Sequence, residues 1–241
     1  MSAYGFGIAQ NKTSNGWIYE TLKEGHGSQL NSDQAALTHN RLVDENGREL
    51  VSTYAIGVPD YQIVSELSQP FQNAFSVMRE DGRYKFKIPI EDFKAAAKSG
   101  SKLKLPGEYL TWELELVKIL PPLPDIARVV KEAYQNGGID GAFQEFQSHS
   151  NSRGSEVYMG EWEVNEVGYF FMSKQKPELA IEAFEYNTRQ NPRSANAHDS
   201  LAEAYLKTNQ KEKAVQHYRQ SYKLNPQNDN ARKMLKELAK N

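Results

Sequence analysis

The chain has 241 residues, 29 Lys and Arg against 31 Asp and Glu for a net charge of −2, and no cysteine. This length allows one or two domains, and the near-neutral charge gives no electrostatic footprint for nucleic acid or an anionic membrane. The lack of cysteine excludes disulfides, thiolate metal sites and a cysteine nucleophile. No apolar run approaches the roughly 20 residues that span a bilayer, and the first residues lack a secretory signal, so we expect a cytoplasmic location.

The first half of the chain alternates strand patterns with one helical pattern. Residues 1–15, rich in Gly, Asn and Ser, are predicted to form a flexible lead-in. Runs of β-forming residues bounded by turn residues predict strands over 17–22, 35–43, 48–54, 83–89 and 109–119. Apolar residues at helical spacing predict a helix within 61–78. Residues 16–120 are therefore predicted to form one antiparallel α+β domain.

The order of these pieces carries a family resemblance. The pieces are the first strand with its end at 24–27, the hairpin over 44–53, the helix end over 71–78, the strand over 83–89 and the strand over 112–119. In this order they resemble the FK506-binding type of peptidyl-prolyl isomerase. The resemblance implies an antiparallel sheet with one packed helix. It also implies isomerisation of X-Pro bonds by a dry aromatic pocket that holds the proline while the amide twists.

The same resemblance implies a proline pocket on Leu50, Phe71 and Trp112. Phe71 stands at the pocket floor, and Trp112 stands where the last strand of that family usually contributes a Phe. Asn40 replaces an expected Tyr, and Leu50-Val51 replaces an expected Phe-Asp pair, so the usual carboxylate is missing. No catalytic residue can be named. Three alternatives stay open: a divergent active isomerase, a retained fold with weak or lost catalysis, or aromatics that serve only as core.

Proline residues mark the boundary between two domains. Three prolines within 121–125 favour a stiff, extended linker. Beyond it, Ala142 and Phe146 have the spacing of a small and an aromatic residue that recurs later in the chain. Residues 126–150 are therefore predicted to form a degenerate repeat of two helices.

One pattern occurs twice in the last third of the chain, at a fixed offset of 34 residues. Fixed periods of this size mark repeat architectures, and each copy predicts two helices, a polar turn and a Pro that stops the second helix. The pattern resembles the tetratricopeptide repeat family, which implies an all-α helical-hairpin domain with repeats at 161–194 and 195–228 and a capping helix at 229–239. The matched pairs are Gly168 with Ala202, Phe171 with Tyr205, Ala180 with Ala214, Phe184 with Tyr218, and Pro192 with Pro226.

The repeat resemblance implies a concave groove that binds an extended peptide. A basic clamp that one variant of the family uses to hold chaperone carboxylates is absent, because its positions hold Asn165, Ser200, Asn230 and Met234. The acidic groove residues suit a neutral or basic partner, or are simply solvated. A purely structural role, bracing the first domain or forming a dimer, stays open. The groove residues implied by the resemblance are Asn165, Tyr169, Met172, Asn196, Asp199, Glu203 and Leu206.

The remaining residues give little support to other chemistry. The five histidines have no metal-ligand spacing, and no cofactor or metal is predicted. The sequence therefore predicts a protein-interaction or chaperone-like protein whose partner is a protein or peptide. Two alternatives stay open: an active isomerase whose repeats recruit clients, and an assembly protein that forms homo-oligomers.

Overall fold

The structure, a computed structural model, describes residues 11–96, 105–152 and 156–239. The chain divides into two compact units, Met1–Pro122 and Leu123–Asn241. Most of the predicted lead-in, residues 1–10, lies outside the described residues. Within the described ranges, no helix is both long enough and apolar enough to cross a membrane.

The first unit is built on one antiparallel sheet. Its strands are β1 (Asn11–Lys12), β2 (Ile18–Lys23), β3 (Ala35–Val43), β4 (Glu49–Ser52), β5 (Asp60–Ile63), β6 (Arg83–Pro89) and β7 (Tyr109–Leu120). They lie in the order β1-β2-β6-β7-β3-β4, and β5 pairs with the first half of β3 while β4 pairs with the second half. The helices are α1 (Thr53–Ile56), α2 (Gln69–Phe75) and α3 (Ile90–Ala96), with a 3-10 turn at Val64–Glu66.

The two faces of the sheet differ because side chains alternate along a strand. On β6, Phe86 and Ile88 are fully buried in the core that α2 covers. On the opposite face, Glu113 of β7 accepts a hydrogen bond from Arg83 at 2.7 Å and lies 3.8 Å from Arg41. One face of the sheet is thus apolar, and the other carries paired charges.

The predicted helix over 61–78 is wrong in its first part. Asp60–Ile63 is a strand, because its backbone groups pair with Ala35–Thr38 at an edge of β3 that has no other partner among the described residues. Helix α2 begins only at Gln69. Pro70 stands in its first turn, where a missing N–H group removes no intrahelical hydrogen bond.

The sheet also begins earlier than predicted. Asn11 and Lys12 of β1 pair with Tyr19 and Ile18 of β2. Thr13 is buried, and its hydroxyl accepts a hydrogen bond from the backbone N–H of residue 17 at 3.0 Å. Residues 11–13 therefore belong to the folded unit rather than to a flexible lead-in.

The second unit consists of helices throughout its described part. They are α4 (Ile126–Ser150), α5 (Glu161–Ser173), α6 (Pro177–Gln190), α7 (Ala195–Lys207), α8 (Lys211–Leu224) and α9 (Asp229–Leu238). The backbone leaves the helical conformation at Gly138 (φ 61°, ψ −152°), so α4 consists of two helical segments. The predicted fold class, an α+β unit followed by helical hairpins, is confirmed.

The repeated small and aromatic residues form the core of the second unit. Ala180, Phe184, Ala214 and Tyr218 are all at most 1% exposed. Gly168 lets α5 approach the Phe184 ring closely, since a Cβ atom at this position would lie 2.2 Å from the ring carbon Cε1. The positions of the small residues in the pattern thus determine how closely the two helices of a pair approach each other.

Two half-buried histidines of the second repeat form a pair. Nδ1 of His198 lies 3.0 Å from Nδ1 of His217, and the two rings stack. Nε2–H of His198 donates to the Pro192 carbonyl at 3.2 Å, so Nδ1 of a neutral His198 accepts the hydrogen bond from His217. Burial lowers the pKa of both imidazoles; Lys213 lowers that of His217 further, whereas Glu185 opposes the shift.

We expect Gly168→Ala to destabilise the second unit although alanine is the better helix former. Overpacking against the fixed Phe184 ring costs about 1–3 kcal/mol, which exceeds the roughly 1 kcal/mol that alanine gains over glycine in a helix. Gly137→Ala is the matched control, because a Cβ there meets nothing within 4 Å. It should raise stability by about 0.4–1 kcal/mol. Denaturant unfolding followed by helical circular dichroism checks both values, and equal effects of the two substitutions would contradict the packing.

The histidine pair predicts that the second unit loses stability as the pH falls below about 6.5, the ordinary pKa of histidine. The unfolded chain then binds protons that the folded pair resists, so protonation favours unfolding. Unfolding midpoints between pH 8 and pH 5.5 measure this loss. His217→Gln should flatten the pH dependence, whereas His149→Gln should leave it intact, since His149 contacts Glu145 rather than another histidine. An unchanged slope in His217→Gln would refute the prediction.

Candidate functional site

A cavity of about 390 Å³ lies in the first unit, beside α2 and the centre of β3. This volume falls within the roughly 300–1,000 Å³ of ligand pockets. One group of lining residues is apolar and the other is polar. The apolar group contains Leu42, Val51, Leu67, Phe71, Ile88, Phe93, Ala96 and Trp112, and the polar group contains Asn40, Asp60, Gln62, Glu66 and Ser68.

The aromatic part of the cavity is held by ring contacts. Phe71 of α2 meets Trp112 of β7 edge-on, with ring centroids 5.4 Å apart, and meets Trp17 edge-on at 5.0 Å. The Trp17 indole N–H donates to Asp92 at 2.7 Å, which fixes this ring in turn. Trp112 is only 7% exposed, whereas Phe71 is half-buried. Phe71 thus presents a supported ring face to the cavity.

The polar part of the cavity centres on the half-buried carboxylate of Asp60. Asp60 stands opposite Thr38 in the pairing of β5 with β3, and the side-chain amide of the buried Asn40 donates a hydrogen bond to it. Burial raises the pKa of the Asp60 carboxyl, while the bond from Asn40 and the nearby His39 oppose the rise. The cavity therefore holds a carboxylate that its surroundings only partly compensate.

The structure brings two of the three predicted pocket residues to this cavity. Phe71 and Trp112 line it, but Leu50 packs against the core of the unit, and its neighbour Val51 lines the cavity instead. Val51 pairs with Leu42, which also lines the cavity. The register of β4 then shifts, so Leu50 has no partner residue on β3. Val51 is 49% exposed and so stands at the open side of the cavity.

Asp60 and Phe93 line the cavity, but the sequence patterns did not predict them as pocket residues. Asp60 fell outside the helical pattern predicted over 61–78, and only the pairing of β5 with β3 brings it beside Asn40. The alternation from Asp60 to Ile63 is a four-residue strand signal that could have identified it. Phe93 lies on the short helix α3 (Ile90–Ala96), which is too short for its apolar residues to show which face is inside.

The second unit brings part of the predicted groove together. The Tyr169 hydroxyl of α5 donates to Glu203 of α7 at 3.1 Å, and its oxygen lies 3.3 Å from the Ser200 hydroxyl. Burial raises the pKa of Tyr169 to about 12, and the nearby carboxylates of Glu203 and Asp199 contribute to the rise. The phenol therefore stays a hydrogen-bond donor at neutral pH.

A second carboxylate of this surface is held by amides. Asp199 accepts hydrogen bonds from Asn228 at 3.0 Å and from Asn230 at 2.7 Å, which links α7 to the start of α9. Burial raises the pKa of Asp199, and both amide bonds oppose the rise. Tyr169, Asp199 and Glu203 thus form one polar surface.

The other predicted groove residues are placed differently. Asn165 is only 3% exposed, and Asn196 is half-buried at the start of α7. Met172 and Leu206 are partly buried against the core. Among the residues that the structure describes, no group of three or more His, Asp or Glu side chains could hold a metal ion.

Comparison with known sequences concerns the repeats. Residues 195–228 match the family model described as Tetratricopeptide repeat, and this range is the second predicted repeat. A stretch of 61 residues is 36% identical to Tetratricopeptide repeat protein 21A of Mus musculus. The match covers 25% of this chain and 5% of the mouse protein, so the chain spans only a small part of that relative.

Comparison with solved structures gives partial likenesses. FkpA from Escherichia coli has a TM-score of 0.42 and 20% identity over 48% of this chain and 53% of its own. A peptidyl-prolyl cis-trans isomerase from Pseudomonas syringae pv. tomato has a TM-score of 0.41 and 16% identity, over 47% of this chain and 83% of its own. A multi-domain immunophilin from Arabidopsis thaliana has a TM-score of 0.40 and 13% identity, over 88% of this chain and 96% of its own. The family match over residues 195–228 confirms the second predicted tetratricopeptide repeat.

Proposed function

We propose that this is a protein-interaction protein whose first unit binds a proline-containing segment of a partner protein, with weak or lost isomerase activity. The observation that carries the proposal is the open cavity over Phe71 and Trp112. A side chain that only filled the core would leave no such space beside it. The ring of Phe71 is supported by Trp17 and Trp112, so it can receive a proline ring without rearranging.

Weak catalysis follows from the mixed chemistry of the cavity. Rotation about an X-Pro bond is accelerated when the twisting amide sits in a dry apolar site. Such a site solvates the polar planar amide poorly, so the loss of resonance on twisting costs less free energy. Here the polar side chains of Asp60, Gln62 and Glu66 share the space with the aromatic rings. These polar groups favour hydration of the site, so the cavity can bind the ring on its aromatic side without strongly accelerating the twist.

The second unit supports the same function by binding another segment of a partner. Helical repeats commonly present a concave surface to extended peptides. The exposed Tyr169 ring, with Asp199 and Glu203 beside it, offers an aromatic contact and two carboxylates. This combination favours a neutral or basic peptide and disfavours an acidic one.

The cavity is tested by Val51→Trp in the full chain. Val51 is 49% exposed at the cavity, so an indole there covers the open side with little cost to folding. We expect a capped peptide containing Leu-Pro to bind the unmodified protein and to bind Val51→Trp about tenfold more weakly, a loss of about 1.4 kcal/mol. NMR titration measures the affinity, and exchange spectroscopy on the same samples measures the cis–trans rate.

Val117→Trp is the matched control. Val117 is 39% exposed on β7 and does not line the cavity. The Val117→Trp variant should therefore bind the Leu-Pro peptide with the same affinity as the unmodified protein. No binding by the unmodified protein would overturn the proposed function. Strong acceleration of exchange, abolished by Val51→Trp, would favour the active isomerase instead.

The repeat surface is tested by Glu203→Gln, which keeps an acceptor for the Tyr169 hydroxyl but removes the charge. We expect a lysine-rich capped peptide to bind this variant about two- to fivefold more weakly, as for a partly exposed ion pair. Glu212→Gln on α8 removes one negative charge from an exposed position and serves as the control. Fluorescence anisotropy reports both affinities, and an acidic peptide of equal length should bind none of the three proteins. Tight binding of the acidic peptide would contradict this preference.

A further inference from the structure

The cavity of the first unit is acidic as well as aromatic. Asp60 and Glu66 both line it, and none of its described lining residues is a Lys, Arg or His. The cavity therefore combines apolar ring faces with negative charge. Neither property alone would specify a ligand, but together they complement a group that is both apolar and cationic.

Folding has already desolvated part of this negative charge. Asp60 is half-buried, and its described polar contact is the neutral amide of Asn40, which positions the carboxylate without cancelling its charge. Burial raises the pKa of Asp60 despite that hydrogen bond and the nearby His39, so its surroundings compensate the carboxylate only in part. A cation that enters the cavity is attracted to the Asp60 carboxylate. The free-energy cost of desolvating that carboxylate was already incurred on folding.

Lys and Arg side chains fit both parts of the cavity. Their aliphatic stems pack on apolar surface while the charged head reaches a polar group. The faces of aromatic rings such as Phe71, Phe93 and Trp112 also attract cations electrostatically. A glutamate in the same place would face two carboxylates, and a leucine would gain only the apolar contact.

We propose that the cavity selects proline-containing segments in which a Lys or Arg stands directly before the proline, with the proline ring on Phe71 and the basic head group at Asp60. This proposal rests on the proposed function, since it assigns the residue that accompanies the proline. It names Asp60 as a residue that determines specificity rather than one that catalyses. Glu66, at the exposed edge, adds a weaker attraction because solvent screens it.

The experiment compares three capped peptides that differ only in the residue before proline: Lys, Leu or Glu. For the full-length protein we expect the Lys peptide to bind at least about fivefold more tightly than the Leu peptide, as for a partly buried ion pair, and the Glu peptide to bind most weakly. Asp60→Asn keeps an acceptor for the Asn40 amide and removes the charge, so its affinities for the Lys and Leu peptides should converge.

Asp33→Asn is the matched control, because it makes the same change at an exposed aspartate that does not line the cavity. It should keep the preference of the unmodified protein, whereas a loss equal to that in Asp60→Asn would assign the effect to net charge and overturn the proposal. Equal binding of the three peptides by the unmodified protein would also overturn it while leaving the proposed function standing. Binding of no proline peptide at all would overturn both. Retained binding of the Leu peptide by Asp60→Asn shows that the variant is folded.

Discussion

The pairing of β3 with β7 is the constraint on which the first unit depends. The register runs along nearly the whole of β3 and sets Leu42 opposite Trp112 and Asn40 opposite Leu114. Since side chains alternate along a strand, a slip of one residue would turn Asn40 and Leu42 to the other face of the sheet. That slip would remove both the polar and the apolar wall of the cavity. The cavity is therefore a property of strand register more than of any single residue.

In the second unit, the corresponding constraint is the close approach of helices at small residues. Ala180 and Ala214 are fully buried, and the rings of Phe184 and Tyr218 occupy the remaining space. Gly168 shows how tight the fit is, because no Cβ atom could be accommodated there without moving the ring of Phe184. Helices α5 and α7 are thereby held so that Tyr169 and Glu203 meet. The polar surface formed by Tyr169, Asp199 and Glu203 is a consequence of core packing.

The sequence predicts local patterns well and long-range contacts poorly. The 34-residue period predicted helices α5 to α8, because each copy repeats its small and aromatic residues at helical spacing. Phe71 and Trp112 were found by the order of strands and helix in the resemblance. Asp60 was not found, because its place beside Asn40 depends on the pairing of β5 with β3, which no local pattern encodes. Leu50 was predicted in place of Val51, because the register shift that leaves Leu50 without a partner arises only in the pairing of β4 with β3.

Both units hold a half-buried carboxylate with amides rather than with basic side chains. Asn40 donates to Asp60, and Asn228 and Asn230 donate to Asp199. An arginine in these places would fix the carboxylate as firmly but would also neutralise it, leaving nothing for a ligand. An amide restrains the oxygen atoms and leaves the charge, and the raised pKa of both carboxyls reflects that incomplete compensation. Aromatic rings beside each carboxylate then supply the apolar contact. The proposed binding of a basic or neutral peptide segment would thus rest on the same physical means in two unrelated folds.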